Sequence, residues 1–165
     1  KGASIKSAQT FVEGDYVIIQ DADLEYNPQD YEKLLYPIIN GESDVVYGSR
    51  VLNKKRYEKN FISNFRIFGN HVLTLLSNLI NNQNLTDAHT CYKLFKSDIF
   101  KNINLNENGF SFCPEITTKI SNMKINIWEV PISYYGRDYK SGKKIKFSDA
   151  IDALFTLIKY KFFKK

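Results

Sequence analysis

The chain has 165 residues, of which 43% are apolar and 15% aromatic. That composition excludes a disordered tail and a fibrous protein, and it supplies one domain with a buried core. The formal charge of +5 is uneven: residues 137–165 carry nine Lys/Arg against three Asp/Glu, so everything before them sums to about −1. A basic end on a near-neutral body fits an anionic partner such as lipid phosphate, a membrane surface or nucleic acid, and equally a solvated helix end. Cys91 and Cys113 lie far apart without the spacing of a zinc site, which predicts free thiols in a reducing compartment. No charged-then-apolar leader opens the chain, and the longest apolar run, around Val72–Ile80, is too short to span a bilayer. These features predict a cytoplasmic protein, soluble or peripheral on the membrane. The chain begins at Lys1-Gly2-Ala3 without Met and enters a helix at once, which predicts the carboxyl-side part of a longer domain.

In chain order, Ala3–Val12 has helix-forming composition and meets Gly14, a good residue just past a helix end. Tyr16–Gln20 is a short β-branched run bounded by Gly14-Asp15 and Asp21, which predicts a fully buried, parallel strand. Asn27 then serves as N-cap and Pro28 as the first helical residue. Tyr31, Leu34, Leu35, Ile38 and Ile39 recur at helical spacing before Asn40-Gly41. A second buried strand, Asp44–Tyr47, runs into Gly48-Ser49-Arg50. Helix–strand–helix–strand in so short a stretch implies an open α/β sheet with crossover helices. Phe61–Asn81 predicts one long helix and Pro114–Met123 another. Ile125–Val130 alternates and stops at Pro131, which predicts an edge strand. Tyr134–Ile145 reads as a loop. Ser148-Asp149 caps a last amphipathic helix with Ile151, Leu154, Phe155, Ile158 and Phe162 on its apolar face. Residues 1–165 thus form one domain, with 137–165 a basic loop plus a carboxyl-terminal helix.

The sharpest chemical feature is Asp21-Ala22-Asp23-Leu24-Glu25, directly after the first strand. In open α/β sheets, ligands bind beyond the carboxyl ends of the strands. Carboxylates at i and i+2 there can share a hard cation, Mg²⁺ or Mn²⁺, bridged to a diphosphate; such a pair also serves as an ordinary turn or cap. Glu115 reads as a helix-dipole residue. His71 and His89 lack metal spacing, and Trp128 and the phenylalanines read as core.

Several motifs in one order resemble the dolichol-phosphate mannosyltransferase branch of family 2 glycosyltransferases, which have the GT-A Rossmann-like α/β fold. They are Gly14–Tyr26, Asp44–Arg50, Leu85-Thr86-Asp87, Thr90-Cys91-Tyr92-Lys93, Pro114-Glu115-Ile116-Thr117 and Val130–Arg137. The resemblance implies that Asp21 and Asp23 hold the donor diphosphate and that Asp21, Asp23 and Glu25 hold the metal. It makes Asp23 and Asp87 catalytic candidates, with Asp87 orienting the acceptor or a basic side chain, or else simply capping a turn. Arg50, Arg66, Arg137, Lys143 and Lys144 would meet the acceptor phosphate. The implied reaction moves a hexose from GDP-mannose or UDP-glucose to a polyprenyl phosphate at a membrane surface, without nucleic acid. The acceptor phosphate is already anionic, so no general base is needed; arginine's planar fork suits it better than lysine does. The family's first strand and its Asp-Asp-Gly-Ser segment, which hold the nucleoside, would lie upstream of Lys1. Cys113 stands where related chains often carry a glutamate. Two other readings remain: a family 2 transferase with a saccharide hydroxyl acceptor and Asp87 as general base, and a non-catalytic basic module on membrane or nucleic acid. The acidic Asp21/Asp23/Glu25 cluster makes a poor nucleic-acid surface.

Overall fold

The computed structural model describes residues 1–52, 61–136 and 147–163, with the side chains of 61–67 and 147 outside that description. Four strands form one mixed sheet: β1 (Tyr16–Ile19), β2 (Val45–Ser49), β3 (Lys93–Lys96) and β4 (Ile127–Pro131), in the order β1-β3-β2-β4. Among the described residues six α-helices accompany it: α1 (Gly2–Gln9), α2 (Tyr31–Ile39), α3 (Phe61–Asn81), α4 (Ser97–Asn102), α5 (Phe112–Asn122) and α6 (Phe147–Ile158).

β2 and β4 are parallel, with Val45 opposite Ile127 and Ser49 opposite Pro131. β3 runs antiparallel to both β1 and β2. The expectation of a fully buried parallel strand at Tyr16–Gln20 is corrected on both counts. β1 lies at an edge of the described sheet and leaves Tyr16 exposed. β4 is the other edge strand, as its terminating proline predicts, since proline cannot donate to a further neighbour. β3 and α4 are absent from the expectations drawn from the sequence. Lys93-Leu94-Phe95-Lys96 has lysine at both ends, yet Lys93, Leu94 and Phe95 are all buried at the centre of the sheet.

Local rules set the other boundaries. Asn27 Oδ1 accepts from Gln29 N at 3.1 Å, and Pro28 follows it in a single 3₁₀ turn that leads into α2. Gly41, at φ +72°, reverses the chain after α2. α5 starts at Phe112, two residues before Pro114, so that proline sits in the first turn, where no intrahelical donor is lost.

α2 packs on β2, β3 and β4, and α5 reaches β2 through Tyr47 Oη and Thr117 Oγ1, 3.1 Å apart. Every residue of β2 is buried as a result. The core joins Leu34 and Ile38 of α2 to Val46, Phe95, Ile116 and Ile120. α3, α5 and α6 pack on one another. α6 buries Ala153, Thr156 and Leu157, while Ile151, Phe155 and Ile158 face outward; Phe162, in the turn that follows, does the same. Trp128, on an edge strand of the described sheet, is likewise exposed rather than core.

Candidate active site

The carboxyl ends of β1 and β2, the turn before β3 and the segment after β4 meet at one place. After β1, residues 21–25 form a tight turn with Leu24 at φ +59°. Asp23 Oδ1 accepts from Glu25 N at 3.3 Å, and Lys1 Nζ donates to Asp21 Oδ2 at 2.8 Å. Glu25 is buried, and its Oε2 accepts from Tyr134 Oη at 2.8 Å. Tyr135 N donates to Glu25 O, so the segment after β4 is laced to the acidic turn. Among the described residues no group of three acidic, His or Cys side chains is arranged to hold a metal. Within the expected Asp21/Asp23/Glu25 set, Glu25 is buried and hydrogen-bonded to the Tyr134 hydroxyl. Asp21 and Asp23 remain as two hard oxygen donors on one turn, a set that fits Mg²⁺ or Mn²⁺ completed by diphosphate and water.

β2 delivers Arg50. A Cβ at Gly48 would come within 2.7 Å of Ile132 and 3.1 Å of Tyr92, so glycine allows the segment after β4 to lie against the end of β2. Arg50 grips Asp87 with Nε to Oδ2 at 2.6 Å and Nη2 to Oδ1 at 2.8 Å, and its backbone N–H adds a third bond at 3.2 Å. Asn70 of α3 donates to Asp87 Oδ1 at 3.1 Å. The Asp87 side chain is fully buried, whereas that of Arg50 keeps 23% exposure. Burial alone would push the Asp87 carboxyl up. The Arg50 guanidinium, its hydrogen bonds and the Asn70 amide outweigh this and hold it well below the usual carboxylate range. Burial opposes the charge on Arg50 too, and Asp87 overcomes it. The Arg50 guanidinium also stands over the Tyr134 ring, 5.1 Å from its centroid, so Tyr134 touches both Glu25 and Arg50.

A further carboxylate anchors this arrangement. Glu129 of β4 accepts from Thr86 N and Thr86 Oγ1 through Oε2 and from Asp87 N through Oε1, at 2.6, 2.8 and 2.9 Å. Burial raises its pKa against those bonds. Ser49 Oγ lies 2.6 Å from Thr86 Oγ1 and accepts from the Val51 and Leu52 amides. Beneath, Tyr26 stacks near Tyr92 and Tyr134, takes a hydrogen bond from Cys91 N, and is pushed up to about 12 by burial. His89 is held near 4 by burial and by Lys93, hence neutral at pH 7.

The structure therefore brings together Asp21, Asp23, Glu25, Arg50 and Asp87. Arg66 lies on α3 one turn before Asn70, with its side chain outside the described residues; Arg137, Lys143 and Lys144 fall outside them altogether. Glu115 does more than face a helix dipole. It is buried and accepts from the Asn106 and Glu107 amides and from Lys119, so it ties the 104–107 loop to α5. Sequence reasoning gave no role to Tyr134, Asn70 or Glu129. For Glu129 a signal existed: it is a carboxylate on the same phase of the strand as the buried Ile127.

Comparison with known proteins bears on the fold and the family. Glucosyl-3-phosphoglycerate synthase from Mycobacterium tuberculosis, solved with Mn²⁺, UDP-glucose and phosphoglyceric acid, superposes with a TM-score of 0.64 at 13% identity, over 97% of this chain and 54% of that one. The fold is thus of the GT-A type, an open mixed α/β sheet. The chain belongs to glycosyl transferase family 2, whose family model matches residues 1–103. It is 29% identical over 146 residues to UDP-N-acetylglucosamine–dolichyl-phosphate N-acetylglucosaminyltransferase of Methanococcus voltae, covering 86% of this chain and 57% of the relative. It is also 29% identical over 171 residues to a dolichyl-phosphate beta-glucosyltransferase of Trichomonas vaginalis, covering 100% of this chain and 51% of the relative. The chain spans about half the length of these relatives.

Proposed function

We propose that the protein containing this chain transfers a hexose from a nucleotide-sugar to a polyprenyl phosphate at the cytoplasmic face of a membrane. The observation that carries this reading is Arg50. Asp87 fixes one edge of its guanidinium, and the exposed remainder has N–H donors for an oxyanion beside the acidic turn. The two named relatives, one acting with a UDP-sugar and both with dolichyl phosphate, supply the substrate classes.

Asp21 and Asp23 would hold Mg²⁺ or Mn²⁺ with the donor diphosphate. Such an ion offsets the diphosphate charge and stabilises the departing nucleoside diphosphate. Arg50, with Arg66, Arg137, Lys143 and Lys144 as further candidates, would bring the acceptor phosphate to the anomeric carbon. A phosphate oxygen forms the new C–O bond as the bond to the diphosphate breaks, and no proton has to leave the nucleophile. The protein's task is to gather two anions and align them. Asp87 then acts as a positioning residue for Arg50. The alternative, in which Asp87 deprotonates a sugar hydroxyl, is disfavoured by its complete burial and its lowered pKa, both of which make it a poor base.

The test uses the full-length protein with labelled GDP-mannose or UDP-glucose, polyprenyl phosphate and Mg²⁺ or Mn²⁺, with EDTA and Asp23→Asn in parallel. Metal-dependent label in the lipid phase, lost in the variant, is expected. Nucleotide-sugar binding with transfer only to a soluble saccharide would move the assignment to the hydroxyl-acceptor reading. No nucleotide-sugar binding at all would remove the catalytic reading.

A further inference from the structure

Tyr134 stands where the acidic turn after β1 meets the Arg50–Asp87 pair, and its backbone is pinned from both directions. Ahead of it, Ile132 N donates to Ser49 O at 3.1 Å and Ser133 N to the buried Asp30 carboxylate at 2.6 Å. After it, Tyr135 N donates to Glu25 O at 2.8 Å, and Tyr134 itself forms an antiparallel bridge with Tyr26. The ring is held as closely as the chain. It meets Tyr26 edge-on, with centroids 5.3 Å apart and planes at 63°. A Cβ at Gly136 would come within 3.1 Å of Tyr134 Cε1, so glycine lets the chain leave close against the ring.

The two parts of this side chain serve different groups. The hydroxyl donates to Glu25 Oε2 at 2.8 Å, and Glu25 N donates to Asp23 Oδ1 at 3.3 Å, within the turn proposed to hold the donor diphosphate. The ring face lies 5.1 Å from the Arg50 guanidinium carbon. A cation–π contact restrains the guanidinium plane without using any of its N–H donors, so those left over by Asp87 stay available to an oxyanion. Donor diphosphate and acceptor phosphate are both anions and repel each other. Ordering of one shared side chain can offset that repulsion, because the first ligand then removes part of the ordering cost of the second. We infer that Tyr134 is a positioning residue that couples the two substrates: with a diphosphate and its cation on the acidic turn, Glu25 holds Tyr134, and Tyr134 holds the Arg50 guanidinium ready for the acceptor phosphate. This deepens the proposed transfer reaction and rests on it for the identity of the two ligands.

Equilibrium binding to the full-length protein tests the coupling without sugar transfer. The probes are farnesyl phosphate, a short polyprenyl phosphate, and Mn²⁺ with UDP or GDP, whichever nucleotide binds. In wild type, saturating nucleotide with Mn²⁺ should tighten farnesyl phosphate about fivefold, and farnesyl phosphate should tighten the nucleotide by the same factor. Tyr134→Phe keeps the ring under Arg50 and loses the hydroxyl, so the factor should fall to about one. The factor is a ratio of dissociation constants within one protein, so a general loss of stability or affinity leaves it unmoved. Glu25→Ala removes the other half of the same bond, and adding it to Tyr134→Phe should lower the factor no further. Hydrogen exchange at the Arg50 amide, which donates to Asp87 Oδ2 at 3.2 Å, reads the link with no acceptor present. Nucleotide with Mn²⁺ should slow that exchange about fivefold in wild type and leave it unchanged in Tyr134→Phe. A factor of one in wild type, the same factor in wild type and Tyr134→Phe, or an exchange effect that does not need Tyr134 overturns the coupling. Farnesyl phosphate that never binds, beside an exchange effect that does need Tyr134, sinks the lipid-acceptor reading alone. Absence of nucleotide binding removes both.

Discussion

Beneath Arg50, charged groups are buried and matched to one another; α3 buries Thr74, Ser77 and Asn81 and leaves Leu75 and Leu79 outside, as α6 leaves Phe155. The first arrangement is stable in water because each charge has a partner at hydrogen-bond distance. Asp87 has three donor groups on it, and Glu129 holds the two residues that present it. Such a network costs far more to break at one member than to replace as a whole. The second arrangement gains little in water, since its largest apolar groups remain hydrated, and its contribution waits on a partner surface. Stability should therefore be concentrated at the Arg50 floor and nearly absent from the outer stripes.

The strongest way to break that contrast is Arg50→Met. It leaves Asp87 buried without a cation, and unfolding free energy should fall by about 3–5 kcal/mol, read by urea titration. The double variant Arg50→Met/Asp87→Asn should recover part of the stability and none of the lipid transfer, which separates folding from phosphate binding. The pair also sets an acid limit. The folded pKa of Asp87 is depressed, so its contribution is full above its ordinary value near 3.8 and is lost as pH falls below that. Acid unfolding curves of wild type and Asp87→Asn should converge in that range.

Glu129→Gln comes next. One amide N–H₂ must face a backbone donor that the carboxylate accepted, and a loss of about 1–3 kcal/mol is expected in the same titration. Transfer should fall with it through displacement of Arg50, with the larger change in KM for the acceptor. Lys93 sharpens the comparison from the other side. It is fully buried, donates to Ala88 O and lies 3.6 Å from the Tyr47 ring centroid, and burial lowers its pKa to about 8. Folded protein then binds fewer protons than unfolded between that value and 10.5, so stability should rise by about 1–2 kcal/mol from near pH 7 to near pH 9.5. Lys93→Met should flatten that rise. The smallest effect belongs to the stripes: Phe155→Ser should shift the unfolding midpoint by no more than about 0.5 kcal/mol.

The order of local elements was legible from residue pattern alone. Asn27-Pro28 announced α2, Pro131 ended an edge strand, and Asp21-Ala22-Asp23 lay after a strand as the chemistry of such folds requires. These signals are short-range: a cap, a missing donor, a period of two or of 3.6 residues. Three things only the tertiary structure decided. β3 is a central strand because β1 and β2 pair with it on both sides and bury even Lys93, and nothing within Lys93–Lys96 records those neighbours. Glu25 is joined to Tyr134, 109 residues away, and Arg50 to Asp87 across 37 residues. The amphipathic period of α6 named its apolar face but not its direction, since periodicity reports which residues lie together and packing decides which side meets protein.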